Sequence, residues 1–211
     1  MRLVIAGGHG KIALHVQRLL AAGGDAATAL VRNEDHFADV TEAGGVPVLC
    51  DLEASDVASV AEYLTGADAV LFAAGAGPGS GVGRKDSVDR GASALLADAA
   101  ERAGVRRFVQ ISSAGIGRTT GDEVFDAYLL AKGAAEEDLK ARDLDWTIVR
   151  PGRLTDEPAT GAVRLTEGDA RDGAVPRADV AAVVVALLGR PSSVGKTYEL
   201  ISGETPVQDA I

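Results

Sequence analysis

The chain has 211 residues, a length that favours one domain built around one sizeable hydrophobic core. Its formal net charge of −10 argues against nucleic acid as a partner, because phosphates require clustered lysine and arginine. With 46% hydrophobic but only 4% aromatic residues, the core must consist mainly of aliphatic side chains.

We expect no membrane span, no secretion signal and no metal site. No apolar run approaches the roughly 18 residues of a transmembrane helix, and no long basic run favours a membrane surface. The single cysteine, Cys50, ends an apolar run, which favours a buried thiol in a reducing compartment. His15 and His36 lack partners at metal-ligand spacing. A cytoplasmic protein is therefore expected.

Short apolar runs alternate with helical patterns through the first 150 residues. The runs are 3–6, 27–31, 46–50, 68–74, 107–113 and 146–151. They do not alternate polar with apolar residues, which is typical of parallel strands buried on both faces. Because parallel strands need crossover helices, the pattern predicts a three-layer, doubly wound α/β fold of the Rossmann type with a mostly parallel sheet.

After Pro151 the pattern becomes irregular. We expect a short strand near 162–166, a helix at 178–188 and a last strand at 196–201. Segments added late to doubly wound folds often cover the carboxyl ends of the strands, where ligands bind. We therefore predict a single domain, 1–211, with its core at about 1–150 and a small C-terminal substrate-side cap at about 151–211.

A glycine-rich turn links the first strand to the first helix. Gly7, Gly8, Gly10 and Ala13 match G-x-G-x-x-A from Gly8, or G-x-x-G-x-x-A from Gly7. Without Cβ atoms the backbone can approach a pyrophosphate, and the helix N-terminus adds free N–H groups and a positive dipole end. The position between a buried strand and a helix favours a phosphate site over a turn without a ligand.

The end of the second strand indicates which dinucleotide would bind. Folds that bind NAD place an acidic residue there, which accepts a hydrogen bond from the ribose 2′-hydroxyl. Here the position holds Arg32, whose guanidinium suits the 2′-phosphate of NADP(H). Glu34 or Asp35 could still serve a 2′-hydroxyl, so NADP(H) is the preferred cofactor and NAD(H) stays open. A surface arginine without a ligand is the other interpretation.

A tyrosine and a lysine are candidates for chemistry. Tyr128 and Lys132 are four residues apart on a predicted helix and therefore share one face. A nearby ammonium stabilises phenolate, so Tyr128 could exchange a proton with a substrate oxygen. Ser112 and Ser113 follow the fifth strand at the sheet edge where ligands bind, and either hydroxyl could bond the same oxygen. The alternative is a half-buried tyrosine beside a solvated lysine.

The ordered set of motifs resembles the atypical short-chain dehydrogenase/reductases, specifically the NmrA-like group of NAD(P)-binding proteins. The resemblance covers essentially the whole chain, and its specificity lies in the order of the motifs. The motifs are GGHGKIA (7–13), LVR (30–32), CDLEASD (50–56), FAAGAG (72–77), AAERAGVRRFVQISSAG (99–115), YLLAK (128–132), RPG (150–152), PRADVA (176–181) and GKTYELISGETPV (195–207).

The resemblance implies a set of cofactor-binding residues. The turn would hold the pyrophosphate, Arg32 the 2′-phosphate, Asp51 and Leu52 would flank adenine, and 73–75 would line the nicotinamide ribose. The full set is Gly7, Gly8, His9, Gly10, Lys11, Ile12, Arg32, Asp51, Leu52, Ala73, Ala74, Gly75, Lys132 and Pro151.

The resemblance also implies catalytic roles. Tyr128 would be the general acid in carbonyl reduction, and Lys132 would bind the nicotinamide ribose and stabilise the phenolate. Ser113, which directly precedes Ala114, would be the catalytic serine, with Ser112 as its rival.

Together these features predict an NADP(H)-dependent oxidoreductase that acts on a small carbonyl compound or a related acceptor. The resembled group includes proteins that have lost the tyrosine or lysine and act as redox sensors. A non-catalytic NADP(H)-binding regulator with a protein partner is therefore one alternative. An epimerase or dehydratase that retains its NAD is another.

Overall fold

The computed structural model describes residues 1–77, 79–168 and 172–211. Within these ranges eleven strands occur. They are β1 Arg2–Ala6, β2 Ala26–Val31, β3 Val46–Leu49, β4 Ala69–Phe72, β5 Arg107–Ile111, β6 Asp145–Pro151, β7 Arg153–Thr155, β8 Ala162–Thr166, β9 Ala174–Pro176, β10 Lys196–Ser202 and β11 Thr205–Pro206.

Nine of the strands form one sheet in the order β11-β8-β10-β6-β5-β4-β1-β2-β3, and β7 pairs separately with β9. Every pairing from β3 across to β10 is parallel, whereas β8 runs antiparallel to β10 and to β11. The chain moves outward from β1 to β2 and β3 and then returns to β4 on its other side. This reversal opens a crevice at the carboxyl end of β1, which is where doubly wound folds bind ligands.

Helices cover both faces of the sheet. They are α1 Lys11–Ala22, α2 Phe37–Glu42, α3 Val57–Leu64, α4 Val82–Arg84, α5 Ala92–Ala103, α6 Glu123–Lys140 and α7 Arg177–Leu188, with a π-helical segment Lys85–Gly91 between α4 and α5. Helices α1 and α7 pack together on one face, while α3, α5 and α6 pack on the other. The expected three-layer Rossmann-type fold is confirmed.

The central strand shows why the sheet has two buried faces. Leu3 and Ile5 of β1 contact the core beneath α1 and α7, and the alternate residues Val4 and Ala6 contact the opposite core. Successive strand side chains point to opposite faces, so a continuous apolar run is what a sheet between two helical layers requires.

The six strand runs found in the sequence are all strands, but three end earlier than the runs that predicted them. Residues 73–74 and 112–113 are loop, and β3 ends at Leu49. The strand at 162–166 has the predicted bounds, and α7 begins one residue before its predicted start. The first residue after each of these strands still donates its backbone N–H to the neighbouring strand, before the chain turns away at the carboxyl edge.

Residues beyond 150 contribute to the core as well as to the carboxyl edge. Helix α7 is apolar around most of its circumference, because most of its residues are valine, alanine or leucine. Those that face α1 and the sheet are buried. Strand β10 extends the sheet in parallel beside β6. The short strands β7 and β9 lie after β6 and before α7, at the carboxyl edge. In the described ranges, no helix is both long and apolar enough to cross a membrane.

One arginine joins the end of α7 to the sheet. The Arg107 guanidinium donates to the carbonyls of Leu187 at 2.7 Å and Leu188 at 3.3 Å, which belong to the last turn of α7. It also donates to the Asp145 carbonyl at 2.7 Å. Burial lowers the pKa of the Arg107 guanidinium. Since terminal helix carbonyls lack intrahelical partners, this side chain supplies a donor to the Leu188 carbonyl and adds one to the Leu187 carbonyl, which also accepts from the Arg190 backbone N–H and the Ser193 hydroxyl.

We expect Arg107→Met to lower the free energy of unfolding by about 2–4 kcal/mol, because several buried carbonyls lose their donor. The neighbouring Arg106 is exposed and pairs only with exposed carboxylates, so Arg106→Met should cost roughly 0–1 kcal/mol. Urea denaturation followed by circular dichroism measures both values. Equal losses for the two variants would contradict this structural role for Arg107.

Candidate active site

The glycine turn between β1 and α1 requires bare backbone. Gly7 has a φ of +77°, and a Cβ built on it would lie 2.6 Å from the Ala74 Cα. A Cβ on Gly8 would overlap the side chain of Ala29 in β2. Gly10 caps the start of α1, where the first backbone N–H groups have no partner within the helix. The turn therefore brings a helix N-terminus close to both neighbouring strands.

A buried glutamine supports this turn from behind. The Gln17 amide, on the buried face of α1, donates to the Gly8 carbonyl at 2.6 Å and to the Ala13 carbonyl at 3.1 Å. Gln17 is fully buried. Sequence analysis missed this residue, although a polar side chain on the apolar face of a helix is a signal for such a role.

The first cavity, here called the turn cavity, lies over the glycine turn and has a volume of about 380 Å³. Nine of the predicted cofactor-binding residues line it. They are Gly7, Gly8, His9, Gly10, Arg32, Leu52, Ala73, Ala74 and Gly75. Cys50 also borders the turn cavity; the thiol is buried, as expected, and burial raises its pKa.

Positively charged and titratable groups surround the turn cavity. Arg32 is exposed at its edge and makes no salt bridge with another described residue. Arg84, from α4, pairs with Glu53 across the rim, and hydrogen bonding from Arg84 holds the pKa of the Glu53 carboxyl below its usual range. The rings of His9 and His36 stack with centroids 3.7 Å apart. Burial, followed by the nearby His9 and Arg32, lowers the pKa of His36.

Two predicted cofactor-binding residues point elsewhere. The Asp51 carboxylate accepts from the Glu53 backbone N–H at 3.0 Å, so it stabilises the turn after β3. The Lys11 ammonium donates to Asp156 at 2.5 Å. Neither Lys11 nor Asp51 is among the described residues that line the turn cavity or the two further cavities described below.

The second cavity, here called the lysine cavity, has a volume of about 660 Å³ and contains Tyr128 and Lys132 on its wall. It shares 73–75 and Gly77 with the turn cavity, so the two are continuous. Both residues lie on α6, as their spacing predicted. The Lys132 Nζ is 5.9 Å from the centre of the Tyr128 ring.

Lys132 is buried, which contradicts the alternative of a solvated lysine. Its ammonium donates to the carbonyls of Ala74 and Ile111, both at 3.3 Å. The third partner is Asp89, whose carboxylate lies 3.2 Å away and is fully buried. The other oxygen of Asp89 accepts from the Ala76 backbone N–H at 3.2 Å. The ion pair thus ties α6 to the loop after β4.

Sequence analysis missed Asp89 and also Lys85. Both lie in the π-helical segment, whose sequence KDSVDRG is mostly polar, as is typical of a solvent-exposed helix face. The Lys85 ammonium donates to the Gly77 carbonyl at 3.0 Å and lies 5.4 Å from the centre of the Tyr128 ring. Tyr128 therefore has two lysines within 6 Å of its ring centre, one from each of two helical segments.

The two candidate serines have different partners. Ser112 is buried and donates to Glu136 at 2.6 Å, and Glu136 in turn accepts from Arg150 at 2.6 Å. This hydrogen bonding raises the pKa of the Arg150 guanidinium. Ser113 is half-buried and lines a third cavity together with Tyr128. The Ser113 hydroxyl donates to the Ala114 carbonyl at 3.1 Å. The geometry favours Ser113 over Ser112 for contact with a ligand, because Ser113 lines a cavity and its bond is longer than the buried bond of Ser112 to a carboxylate.

The third cavity, here called the arginine cavity, has a volume of about 770 Å³. Its lining includes Ser113, Tyr128, Pro151 and three arginines, namely Arg118, Arg153 and Arg177. It shares Phe125, Tyr128, Leu154 and Arg177 with the lysine cavity. The three cavities therefore form one continuous cleft along the carboxyl ends of the strands. In the described ranges, no cluster of three or more His, Cys, Asp or Glu residues could hold a metal ion.

A model of the NAD(P)H-binding protein family matches residues 7–191. The chain belongs to this NAD(P)H-binding family. The match runs from the glycine turn to the segment after α7 and includes all three cavities.

Known relatives of this NAD(P)H-binding protein are named either as epimerases or dehydratases or as reductases. YhfK of Bacillus subtilis, an uncharacterised sugar epimerase, is 34% identical over 213 residues, which cover 100% of this chain and 99% of YhfK. A candidate NAD-dependent epimerase/dehydratase of Bacillus halodurans has a TM-score of 0.92 at 34% identity, covering 99% of this chain and 97% of that one. ChuY of Escherichia coli O157:H7, an anaerobillin reductase, has a TM-score of 0.79 at 26% identity, covering 96% and 97%.

The described residues fit the dinucleotide that gives the NAD(P)H-binding family its name. The bare backbone at Gly7 and Gly8 lets the turn pack closely against Ala74 and Ala29, and this packing sets the N-terminus of α1, with its free N–H groups, beside the turn cavity. The turn cavity and the lysine cavity share the wall formed by 73–75 and Gly77.

We expect Asp89→Asn to lower the free energy of unfolding by about 3–5 kcal/mol, because it leaves the buried Lys132 ammonium without a counter-charge. Asp86→Asn is the matched control: Asp86 lies in the same π-helical segment but is exposed, where its pair with Arg90 contributes roughly 0–1 kcal/mol. Chemical denaturation of both variants without added nucleotide measures the difference. An Asp89 variant as stable as the Asp86 variant would show that the buried pair contributes little.

Proposed function

We propose that this protein is an NADP(H)-dependent reductase of a small carbonyl compound. The observation that carries the proposal is the position of Tyr128, which lies where the lysine cavity meets the arginine cavity and is flanked by Lys85 and Lys132. A proton donor at the junction of a nucleotide site and an open cavity is what carbonyl reduction requires.

When bound, NADPH supplies a hydride from C4 of its nicotinamide to the carbonyl carbon and leaves as NADP⁺. The carbonyl π electrons move to the oxygen, which takes a proton from the Tyr128 hydroxyl, so that the product is an alcohol. Solvent then returns a proton to the Tyr128 oxygen. Ser113 donates a hydrogen bond to the same oxygen and orients the carbonyl.

Lys132 has a second task in this proposal. Its ammonium is held beside the Ala74 carbonyl, in the loop that borders both the turn cavity and the lysine cavity. From there it would bind the hydroxyls of the nicotinamide ribose. Asp89 and two carbonyls take up its three donors, so binding the ribose would replace one of the two carbonyl hydrogen bonds, which are long at 3.3 Å.

A preference for NADP(H) follows from the rim of the turn cavity. Arg32 lies at the end of β2, and its guanidinium lacks a carboxylate partner among the described residues. An uncompensated arginine at this position suits a 2′-phosphate and would not be matched by the hydroxyl of NAD(H). Arg84 is on the same rim but is paired with Glu53, so the preference rests on Arg32.

The reductase activity of ChuY supports the same reaction class, since this chain is 26% identical to it over nearly its full length. The order of motifs supports membership of the atypical, NmrA-like short-chain dehydrogenase/reductases. We place the protein in the cytoplasm on the basis of its single, buried and unpaired cysteine.

An epimerase or dehydratase that retains its NAD is the second candidate, because YhfK and the Bacillus halodurans protein bear such names. The two candidates differ in how they hold the nucleotide. A reductase must release its oxidised cofactor after each turnover, whereas an epimerase regenerates its own and keeps it bound. Mass spectrometry of the denatured, freshly purified protein should therefore find little stoichiometric NAD if the reductase proposal is correct.

We expect Tyr128→Phe to reduce NADPH-dependent turnover of an accepted aldehyde by about 10²–10⁴-fold, because the reaction loses its proton donor. Binding of NADPH, measured by calorimetry, should change little because the ring remains. Tyr63→Phe, at an exposed position on α3, is the control and should retain full activity. Binding of NADPH without turnover of any acceptor, and with Tyr128→Phe indistinguishable from the parent, would instead favour a redox-sensing regulator.

We expect Arg32→Gln to weaken NADPH binding by about 10–100-fold, the effect of losing a charge-assisted contact with a phosphate. Affinity for NADH should stay the same, since NADH has no 2′-phosphate. Arg18→Gln changes another exposed arginine, on α1 and outside the cavities, and serves as the control. Calorimetric titration with both nucleotides measures the effect, and an equal loss for NADPH and NADH would refute selection of the phosphate by Arg32.

A further inference from the structure

We infer that the arginine cavity selects acceptors that carry an anionic group, a carboxylate or a phosphate, on an otherwise apolar body. The inference rests on the proposed reductase function and extends it by naming the substrate class. The first observation is the charge of this cavity. The whole chain has a formal net charge of −10, yet three arginines line the arginine cavity.

The three arginines come from separate parts of the chain. Arg118 follows β5, Arg153 begins β7, and Arg177 is the first residue of α7. The parallel pairing of β7 with β9 puts Arg153 opposite Ala174, three residues before Arg177, and both arginines line the same cavity. Side chains of like charge repel one another, so this convergence is unfavourable unless anions neutralise it.

The neighbouring carboxylates neutralise the cavity only in part. Asp172 pairs with Arg118 at 2.8 Å, and its side chain is 93% exposed. Asp156 pairs with Arg177 at 2.7 Å, and its side chain is 59% exposed. Exposed pairs of this kind are weak and exchange readily for another anion. Arg153 is exposed and makes no salt bridge with another described residue.

Arg177 links this charge to the chemistry. Like Tyr128, it lines both the lysine cavity and the arginine cavity, and its side chain is only 25% exposed. An anionic group bound by Arg177 would therefore lie on the substrate side of Tyr128, with the carbonyl between them. A guanidinium binds carboxylate or phosphate oxygens through paired donors, so the contact also fixes orientation.

The remaining wall of the arginine cavity is largely apolar. Phe125, Leu129, Pro151 and Leu154 line it, and Phe125 is 43% exposed and forms a stacked pair with Tyr128. A flat or aliphatic body would bury this surface, whereas a sugar would leave its hydroxyls against carbon. The chemical class that fits both features is an apolar aldehyde or ketone with an acidic group.

The test compares three aldehydes of matched shape: 4-formylbenzoate, 4-formylphenyl phosphate and the neutral 4-formylbenzamide. With NADPH in excess, kcat/KM for at least one anion should exceed that for the amide by about tenfold. Whichever anion is faster identifies a carboxylate or a phosphate as the preferred group. Arg153→Gln and Arg177→Gln should each reduce the anion-to-amide ratio, and Arg190→Gln, an exposed arginine outside the cavities, should not.

A binding measurement keeps the inference testable if none of the aldehydes is reduced. Calorimetry on protein saturated with NADP⁺ would titrate 4-(hydroxymethyl)benzoate, 4-(hydroxymethyl)phenyl phosphate and 4-(hydroxymethyl)benzamide. Tighter binding of an anion that is lost in Arg153→Gln and Arg177→Gln supports the inference. Equal binding of anions and amide, or no anion binding, overturns it. Turnover of all three aldehydes at equal rates, abolished by Tyr128→Phe, would overturn the charge selection while leaving the reductase proposal intact.

Discussion

The cleft depends on how closely the backbone after β1 can approach its neighbours. Gly7 lies against the Ala74 backbone, and Gly8 lies against Ala29 of β2, with no space for a Cβ at either position. The side chain of Gln17 holds the Gly8 carbonyl from the opposite side. Because β1 lies between β2 and β4, this packing sets where the N-terminus of α1 meets the crevice at which the strand order reverses.

Buried charge then organises the middle of the cleft. Lys132 and Asp89 form a pair shielded from water, and Glu136 binds Ser112 and Arg150 one step further along the sheet edge. Such groups cost free energy to desolvate unless every partner is in place, so they define one arrangement of α6 relative to the strands. Tyr128 is half-buried and lies on the same helix. Its position therefore depends on these buried ion pairs and hydrogen bonds, although Tyr128 takes no part in them.

The sequence was sufficient for the strands, the glycine turn and the Tyr128–Lys132 pair, because each depends on local pattern: apolar runs, absent Cβ atoms and helical spacing. The burial of Asp89 and Lys85 could not be predicted, because the sequence of their π-helical segment is as polar as that of a solvent-exposed helix. Arg153 and Arg177 were not singled out either, since they line one cavity only after β7 has paired with β9. Local sequence patterns therefore predict the strands and the glycine turn. The lining of the arginine cavity depends instead on contacts between residues that are far apart in the sequence.

Charge is distributed along the cleft in a way that the net charge conceals. Arg32 and Arg84 lie at the turn cavity and three arginines at the arginine cavity, while the lysines between them face Asp89 and backbone carbonyls. At each end one of these arginines, Arg32 or Arg153, makes no salt bridge with another described residue, whereas Arg84, Arg118 and Arg177 pair with carboxylates. A phosphorylated dinucleotide at one end and an acidic acceptor at the other would each supply the anion that Arg32 or Arg153 lacks. Tyr128 lies between these two ends.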